Sequence, residues 1–310
     1  MGNFSVAFDV LGVGLTNPFD RVIAEKQQET REVVITDITG DGGRLPRIAS
    51  ENTAGIAAEA LLKATEAPFG VRLTLEKGIS LGSGLGSSAS SAVAALMAVN
   101  SMLQEPLSKE ELVPFAVEAE RAACGAAHAD NVAPSLLGGV VLISTYNPLR
   151  VYKLPIVSEL WVGALCPDIE VNTREARQVL PKEIPLSLAS EQLGLFGGSL
   201  LGLLTNDPLL IESHLRDLLL EPHREQFIPH FRSHRDAALD AGAIAFGISG
   251  AGPTVFLLAT NRENAQRASE AAQRSFENFG MSSYLAISPL LSEGASVRDL
   301  SCENSHDSVL

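Results

Sequence analysis

Apolar and polar positions alternate over residues 71–76. Val71, Leu73 and Leu75 are interleaved with Arg72, Thr74 and Glu76, the two-residue period of a strand with one dry and one wet face. Downstream the period lengthens. Residues 87–103 are rich in alanine and place Val93, Leu96, Val99 and Leu103 at helical spacing. Ser108 followed by Glu111 reads as a capping box opening another helix, with Pro114 expected to kink that helix or delay its start. Residues 140–144 form a short apolar strand, Asn147 and Pro148 a turn, and residues 160–166 a buried strand. The stretch 147–158 between them is the best candidate for a domain boundary. Asn172 with Glu175 three residues on marks a helix start. Residues 209–220 and 230–241 read as helices, and 244–248 and 255–259 as strands joined by a glycine turn. The polar tail from Ser301 is expected to fray. Strands and helices are mixed without steady alternation, which predicts an α+β fold rather than a doubly wound sheet.

Composition narrows the function. Twenty-three Lys and Arg stand against 37 Asp and Glu, a net charge of −14 in 310 residues. Such a chain repels a phosphate backbone and an anionic membrane, so neither nucleic acid nor lipid is an expected partner. A small anion still fits, because a few placed arginines outweigh net charge locally. The three cysteines, Cys124, Cys166 and Cys302, are scattered and form no CxxC pair. Disulfides and zinc clusters are therefore not expected, and a reducing cytoplasm suits the chain. Cys124 and Cys166 lie in apolar stretches and read as small core residues. No apolar run approaches the length of a membrane span, and no signal peptide is visible.

The most informative segment is residues 77–91, KGISLGSGLGSSASS. Alternating glycines let backbone N–H groups approach a ligand, and a helix start adds orphan N–H groups at the positive dipole end, so the loop suits a phosphate. It differs from a dinucleotide loop, which follows a continuously apolar strand and carries GxGxxG, and from a Walker loop, since the chain has no Gly-Lys pair. His234-Arg235-Asp236 spells the catalytic triplet of protein kinases, but Ala241 stands where that loop needs Asn and no DFG follows. It reads as an amphipathic helix.

Residues 82–90, GSGLGSSAS, resemble the phosphate loop of the GHMP kinases, and residues 247–254, GISGAGPT, resemble that family's third motif. Within the superfamily the chain is similar to the homoserine kinases. NFSVAFD at 3–9 resembles their first motif, with Ala7 where Gly is common, and GAAHADNVAP at 125–134, NTREARQVLPK at 172–182 and EPHREQFIP at 221–229 are close to their patterns. Family members normally begin ten or more residues earlier, with a strand ending in an A-P-A-S-like run, whereas Met1 here falls almost on the motif's Asn. That leaves open a late-assigned start or a missing edge strand.

The resemblance implies a two-lobed α+β fold. An N-terminal lobe over 1–152, like domain 2 of ribosomal protein S5, would carry the nucleotide, followed by a ferredoxin-like lobe over 153–310. It implies ATP with Mg2+, L-homoserine as substrate, and the loop residues Gly82, Ser83, Gly84, Leu85, Gly86, Ser87 and Ser88, with Gly250 and Gly252, around the phosphates. Asn52 is carried over to the adenine pocket. Ser88 and Glu120 match the metal-contacting hydroxyl and its partner carboxylate. An idle Glu120 among small apolar neighbours would be costly if buried. Asn3, Asp9, His128, Asn131, Arg177 and Arg224 match substrate contacts: the two arginines hold the carboxylate, Asp9 with Asn3 beside it takes the ammonium, and Thr173 touches the reacting hydroxyl. Asp130 is not expected to be the base. Another small-alcohol kinase of the superfamily, or a nucleotide-binding member without catalysis, remains open, and the sequence does not distinguish a monomer from a homodimer.

Overall fold

The computed structural model describes residues 1–125, 127–157 and 159–300, without the side chains of residues 123, 124, 173 and 174. Cys124 as a core residue, Cys302 and the polar tail lie outside the described residues.

The first residues lie along β1 (Leu11–Val13): Gly2 bridges Gly12, and the terminal amine donates to the Val13 carbonyl at 3.1 Å. β2 (Arg21–Gln27), β3 (Val33–Thr39) and β4 (Gly70–Glu76) form a sheet with β4 in the middle, antiparallel to β2 and parallel to β3. The alternation over 71–76 belongs to this central strand, whose Val71, Leu73 and Leu75 are buried while Arg72 is exposed. Parallel pairing requires a crossover. A short 3-10 turn (Ala49–Glu51) and α1 (Thr53–Ala64) supply it.

α2 (Ser87–Asn100) and α3 (Lys109–Cys124) pack on α1, α4 (Ala129–Leu137) packs on α2 and α3, and buried alanines such as Ala57, Ala58, Ala92 and Ala95 let α1 and α2 approach closely. The capping box at Ser108 forms in both directions. It fixes the start of α3 at once, so Pro114 does not delay it and sits inside a helix running on to Cys124. β5 (Val140–Tyr146) and β6 (Leu149–Lys153) follow as a hairpin, with β1 on the far side of β5. The first half of the 147–158 stretch is therefore paired strand.

The second half of the chain runs through β7 (Trp161–Pro167), α5 (Thr173–Gln178), α6 (Leu186–Thr205), α7 (Pro208–His214), α8 (Glu221–Arg224), α9 (Phe231–Asp240), β8 (Ala245–Ile248), β9 (Val255–Ala259), α10 (Arg262–Asn278) and β10 (Ser283–Pro289). Its antiparallel sheet has the order β10-β7-β9-β8, so the four strands stand 4-1-3-2, the ferredoxin-like arrangement, with α9 and α10 packed together on it. The helix expected over 209–220 ends at His214. The Asp217 carboxylate captures the N–H groups of Leu219, Leu220 and Glu221, which starts a new turn instead of prolonging the old one. α6 has no counterpart in the sequence pattern: its leucines are interrupted by polar residues and by Gly197-Gly198, and Leu186 and Leu193 are exposed, so no amphipathic stripe announces it. No helix among the described residues is long and apolar enough to cross a membrane.

Each lobe has its own core, and a third cluster joins them. Met1, Phe4, Leu11 and Val13 pack with Leu195, Leu203, Ile211 and Phe256, and the Phe4 ring stacks on Phe256 at 5.0 Å. The start of the chain is thus wedged between the lobes.

The HRD triplet is scaffold. His234 is buried in α9, bonded to Ser275 Oγ at 2.8 Å and the Pro229 carbonyl at 2.9 Å, and stacked on Phe276. His234→Ala should lower unfolding stability by roughly 2–4 kcal/mol in urea titrations. The same variant should leave kcat unchanged, which a catalytic HRD would not allow.

Candidate active site

The glycine loop leaves β4 at Glu76 and enters α2 at Ser87. Two of its glycines have no alternative. A Cβ on Gly84 would lie 2.6 Å from the Gly252 carbonyl and 2.7 Å from that of Ser249. Gly86, left-handed at φ 76°, caps α2, and a Cβ there would meet Asn131 Oδ1 at 2.9 Å. The third motif lies against the loop: Ser249 Oγ donates to the Gly84 carbonyl across 165 residues of sequence, and the Thr254 N–H donates to Ser83. Gly250 and Gly252 are both left-handed, at φ 57° and 84°. Over the outer edge, Arg44 pairs with Glu170 in an exposed contact at 3.3 Å.

Beneath the loop lies an ion pair that sequence reasoning missed. Lys77 Nζ bonds Asp20 Oδ2, the Ser87 carbonyl at 2.8 Å and Ser91 Oγ at 2.6 Å, and both charged side chains are buried. Asp20 Oδ1 accepts from the N–H groups of Gly78 and Ile79. Burial pulls the Lys77 ammonium down, opposed by the Asp20 charge. The pair ties the loop's entry to its exit. Asp20 and Lys77 are 57 residues apart, and no local pattern connects them.

Glu120 is buried, and its Oε1 has no hydrogen-bond partner among the described residues. Its Oε2 lies 3.6 Å from His128 Nδ1, and that contact raises the imidazole's pKa. Glu120 is close enough to act electrostatically on Lys77, hence near the loop's exit. Ser87 commits its hydroxyl to the Ile79 carbonyl at 2.8 Å, while the Ser88 carbonyl accepts from Thr53 Oγ1 at 3.2 Å. No group of three His, Cys, Asp or Glu among the described residues could hold a metal alone. A hard cation bound mainly by phosphate oxygens needs only one or two protein ligands, and the orphaned Glu120 oxygen fits that requirement.

Two of the residues expected on the substrate side meet at the carbonyl of Gly250, which accepts from Asn3 Nδ2 at 2.8 Å and from Arg224 Nη1 at 2.7 Å. Asn3 Oδ1 takes the Asp9 N–H, and the Asn3 N–H donates to Asp130 Oδ2 at 3.0 Å. Asn3, Phe4 and Ser5 all have positive φ, a strained turn for non-glycine residues that these bonds hold. Asp9, itself at φ 57°, meets Arg177 at 3.1 Å, and its carbonyl accepts from the Tyr146 hydroxyl. Both guanidinium groups lie over the Phe8 ring. Asp130 is fully buried with Oδ1 unpartnered among the described residues, and burial and then the Asp9 charge push its carboxyl up to about 6. Burial and the neighbouring Arg177 pull Arg224 down. Thr173 opens α5, but its side chain lies outside the described residues. Asn52 caps α1 through Ala54 N–H and donates to the Pro46 carbonyl, so both functions of its amide already serve the fold.

Comparison with known proteins bears on what this assembly is. Residues 52–139 match the family described as GHMP kinases N terminal domain, and residues 199–278 match GHMP kinases C terminal. A homoserine kinase of Chlorobium phaeobacteroides (strain BS1) is 44% identical over 308 residues, 96% of each chain. The chain belongs to the homoserine kinase family. A homoserine kinase of Xylella fastidiosa (strain 9a5c) is 38% identical over 296 residues, 95% of this chain and 90% of its own. The crystal structure of a homoserine kinase from Cytophaga hutchinsonii aligns with a TM-score of 0.91 at 44% identity, covering 94% of this chain and 92% of that one. A mevalonate kinase from L. major, at 16% identity and a TM-score of 0.67, shares the fold. As a homoserine kinase family member the chain is an ATP-using transferase with an alcohol acceptor, and the expected two-lobed GHMP fold is the one observed.

The buried charges of this homoserine kinase site make two measurable differences. Lys77→Met leaves Asp20 buried without its cation and should cost about 3–5 kcal/mol in denaturant unfolding. For Asp130 the folded carboxyl, at about 6, lies above its ordinary value of 3.8, so its contribution to stability is full below that value and is lost as pH rises through 6. Asp130→Asn should therefore gain on wild type by up to about 3 kcal/mol between about pH 4 and pH 7, read from melting curves across that range.

Proposed function

We propose that the chain transfers the γ-phosphoryl group of ATP to the hydroxyl of L-homoserine, giving O-phospho-L-homoserine and ADP on the way to threonine. One observation carries the substrate reading: a carboxylate and two guanidinium cations, Asp9, Arg177 and Arg224, stand together around Phe8, and Arg224 is bonded to Gly250 beside the glycine loop. An α-amino acid bearing a terminal hydroxyl matches that charge pattern. Its ammonium takes Asp9 beside Asn3, its carboxylate takes the arginines, and its hydroxyl reaches toward Asn131, which packs on Gly86 of the loop. Charge-assisted bonds from planar guanidinium groups favour this carboxylate clamp.

The triphosphate rests on the backbone of residues 82–88 and on the first turn of α2, whose N–H groups have no acceptors within the helix. Gly250 and Gly252 close the other wall. We assign Mg2+ to Ser88 and Glu120; bound there, it would neutralise charge on the phosphate oxygens. Glu120 otherwise repels a triphosphate, and His128 lies 3.6 Å from it, a contact that favours the imidazolium. Asn131 positions the substrate hydroxyl, and Thr173 is assigned beside it. Phosphoryl transfer passes through a loose transition state, so positioning and charge neutralisation suffice without a strong base. The adenine is placed near Asn52. We keep the lobe division at 1–152 and 153–310 as a proposal, and propose a cytoplasmic location from the lack of any CxxC pair.

A coupled assay should show ADP release with homoserine and magnesium, and none above background with mevalonate, galactose or shikimate. Silence with homoserine in a folded sample overturns the assignment. Ser88→Ala and Glu120→Gln should each lower kcat by about 10²-fold or more with little change in homoserine KM. Arg224→Lys keeps the charge but loses the fork, and its homoserine KM should rise by about tenfold for each 1.4 kcal/mol lost while the ATP KM stays put.

A further inference from the structure

The two substrate-binding charges of opposite sign satisfy each other in this structure. Arg177 Nη2 lies 3.1 and 3.2 Å from the two Asp9 carboxylate oxygens, and neither side chain is buried, at 44% and 29% exposure. Each member also has a buried neighbour of its own sign. The Asp9 charge raises the Asp130 carboxyl, and the Arg177 charge lowers Arg224. Arg224 is fixed by its Nη1 and Nε bonds to the carbonyls of Gly250 and Ala176, so its charge reaches Asp9 through space and not through a bond.

We propose that the Asp9–Arg177 pair is a latch which a ligand must exchange in both halves at once, and that this selects zwitterionic amino-acid alcohols over hydroxy acids and amino alcohols of the same length. The proposal rests on the reading of Asp9 as ammonium partner and Arg177 as carboxylate partner, and adds what their mutual pairing does to selectivity.

A half-exposed ion pair contributes little to stability, so opening it is cheap. Selectivity is decided by the charges left after the pair has opened. A ligand with only a carboxylate takes Arg177 and leaves Asp9, now covered by the ligand, without the cation that bonded it and within reach of the Asp130 charge. A ligand with only an ammonium takes Asp9 and strands Arg177 beside Arg224. A charge removed from water and left unpaired is expensive. A zwitterion replaces one ion pair with two and strands nothing.

The latch makes a prediction that a merely additive pair of contacts does not. Removing one latch partner frees the other in advance, so a half-ligand should gain affinity while homoserine loses it. Calorimetric affinities of homoserine, 4-hydroxybutanoate and 3-aminopropan-1-ol for the full chain test this. Asp9→Asn keeps the shape and tolerates the left-handed backbone at this position. It should bind homoserine about tenfold or more weakly and 4-hydroxybutanoate about tenfold more tightly than wild type. Arg177→Gln should show the mirror image, with 3-aminopropan-1-ol as the ligand that gains. If either folded variant loses its half-ligand, or holds it unchanged, the latch is overturned. If one variant does not fold, the other decides alone. ADP release by wild type with homoserine, run on the same preparation, separates the two readings. Without it the homoserine assignment falls and takes the latch with it; with it, a missing half-ligand gain overturns the latch only.

Discussion

One carbonyl oxygen organises the site. That of Gly250 uses both lone pairs, on Asn3 Nδ2 and Arg224 Nη1, while the Gly250 N–H donates to the Gly2 carbonyl. Three segments far apart in sequence are pinned at one residue: the opening turn, the short helix α8 and the glycine turn after β8. Asn3 and Arg224 are both buried, so losing the acceptor would strand donors that water cannot reach, at about 1–3 kcal/mol each. The remaining contacts build outward from this point. Asn3, once held, presents its own oxygen to the Asp9 backbone, and Asp9 is thereby aimed at Arg177.

The phosphate loop depends on a different kind of constraint. The chain carries a net charge of −14, and the lysine under the loop is neutralised by Asp20. Attraction for a triphosphate therefore comes from oriented backbone N–H groups rather than from free cationic side chains. That makes geometry decisive. The Lys77–Asp20 pair acts as a strut that keeps both ends of the loop in register, and the glycines let the turn pass between the carbonyls of Ser249 and Gly252. Glu120, buried with one oxygen unpartnered among the described residues, is the observation behind the proposed Mg2+ site.

Local features were the ones the sequence disclosed. The alternation in β4, the capping box at Ser108 and the start of α2 at Ser87 depend on neighbours a few residues away, and each appears where its pattern placed it. The two glycine motifs were legible as a pair because their order and composition resemble a known family. Long-range chemistry was not legible. Nothing adjacent to Lys77 points to Asp20, and nothing adjacent to Asp130 shows that its carboxylate braces the strained turn at Asn3. α6 escaped because its leucines are spread around the helix, several of them exposed, rather than gathered in a stripe. The helix expected over 209–220 was cut by Asp217, whose side chain competes with the helical backbone for the same N–H groups.

The two bonds that cross from the ferredoxin-like sheet to the glycine loop, Ser249 Oγ to Gly84 and Thr254 N–H to Ser83, bear on how such a cleft breathes. Lobes swinging apart as rigid halves would tear both bonds and pull Gly84 from its seat between two carbonyls. The floor of the nucleotide cleft is stapled shut across the seam. The rim is looser: Gly42 and Gly43 have open space around them, and the clasp between Arg44 and Glu170 is wet on both sides. The two lobes are thus joined through the floor of the cleft, while an exposed ion pair spans its rim.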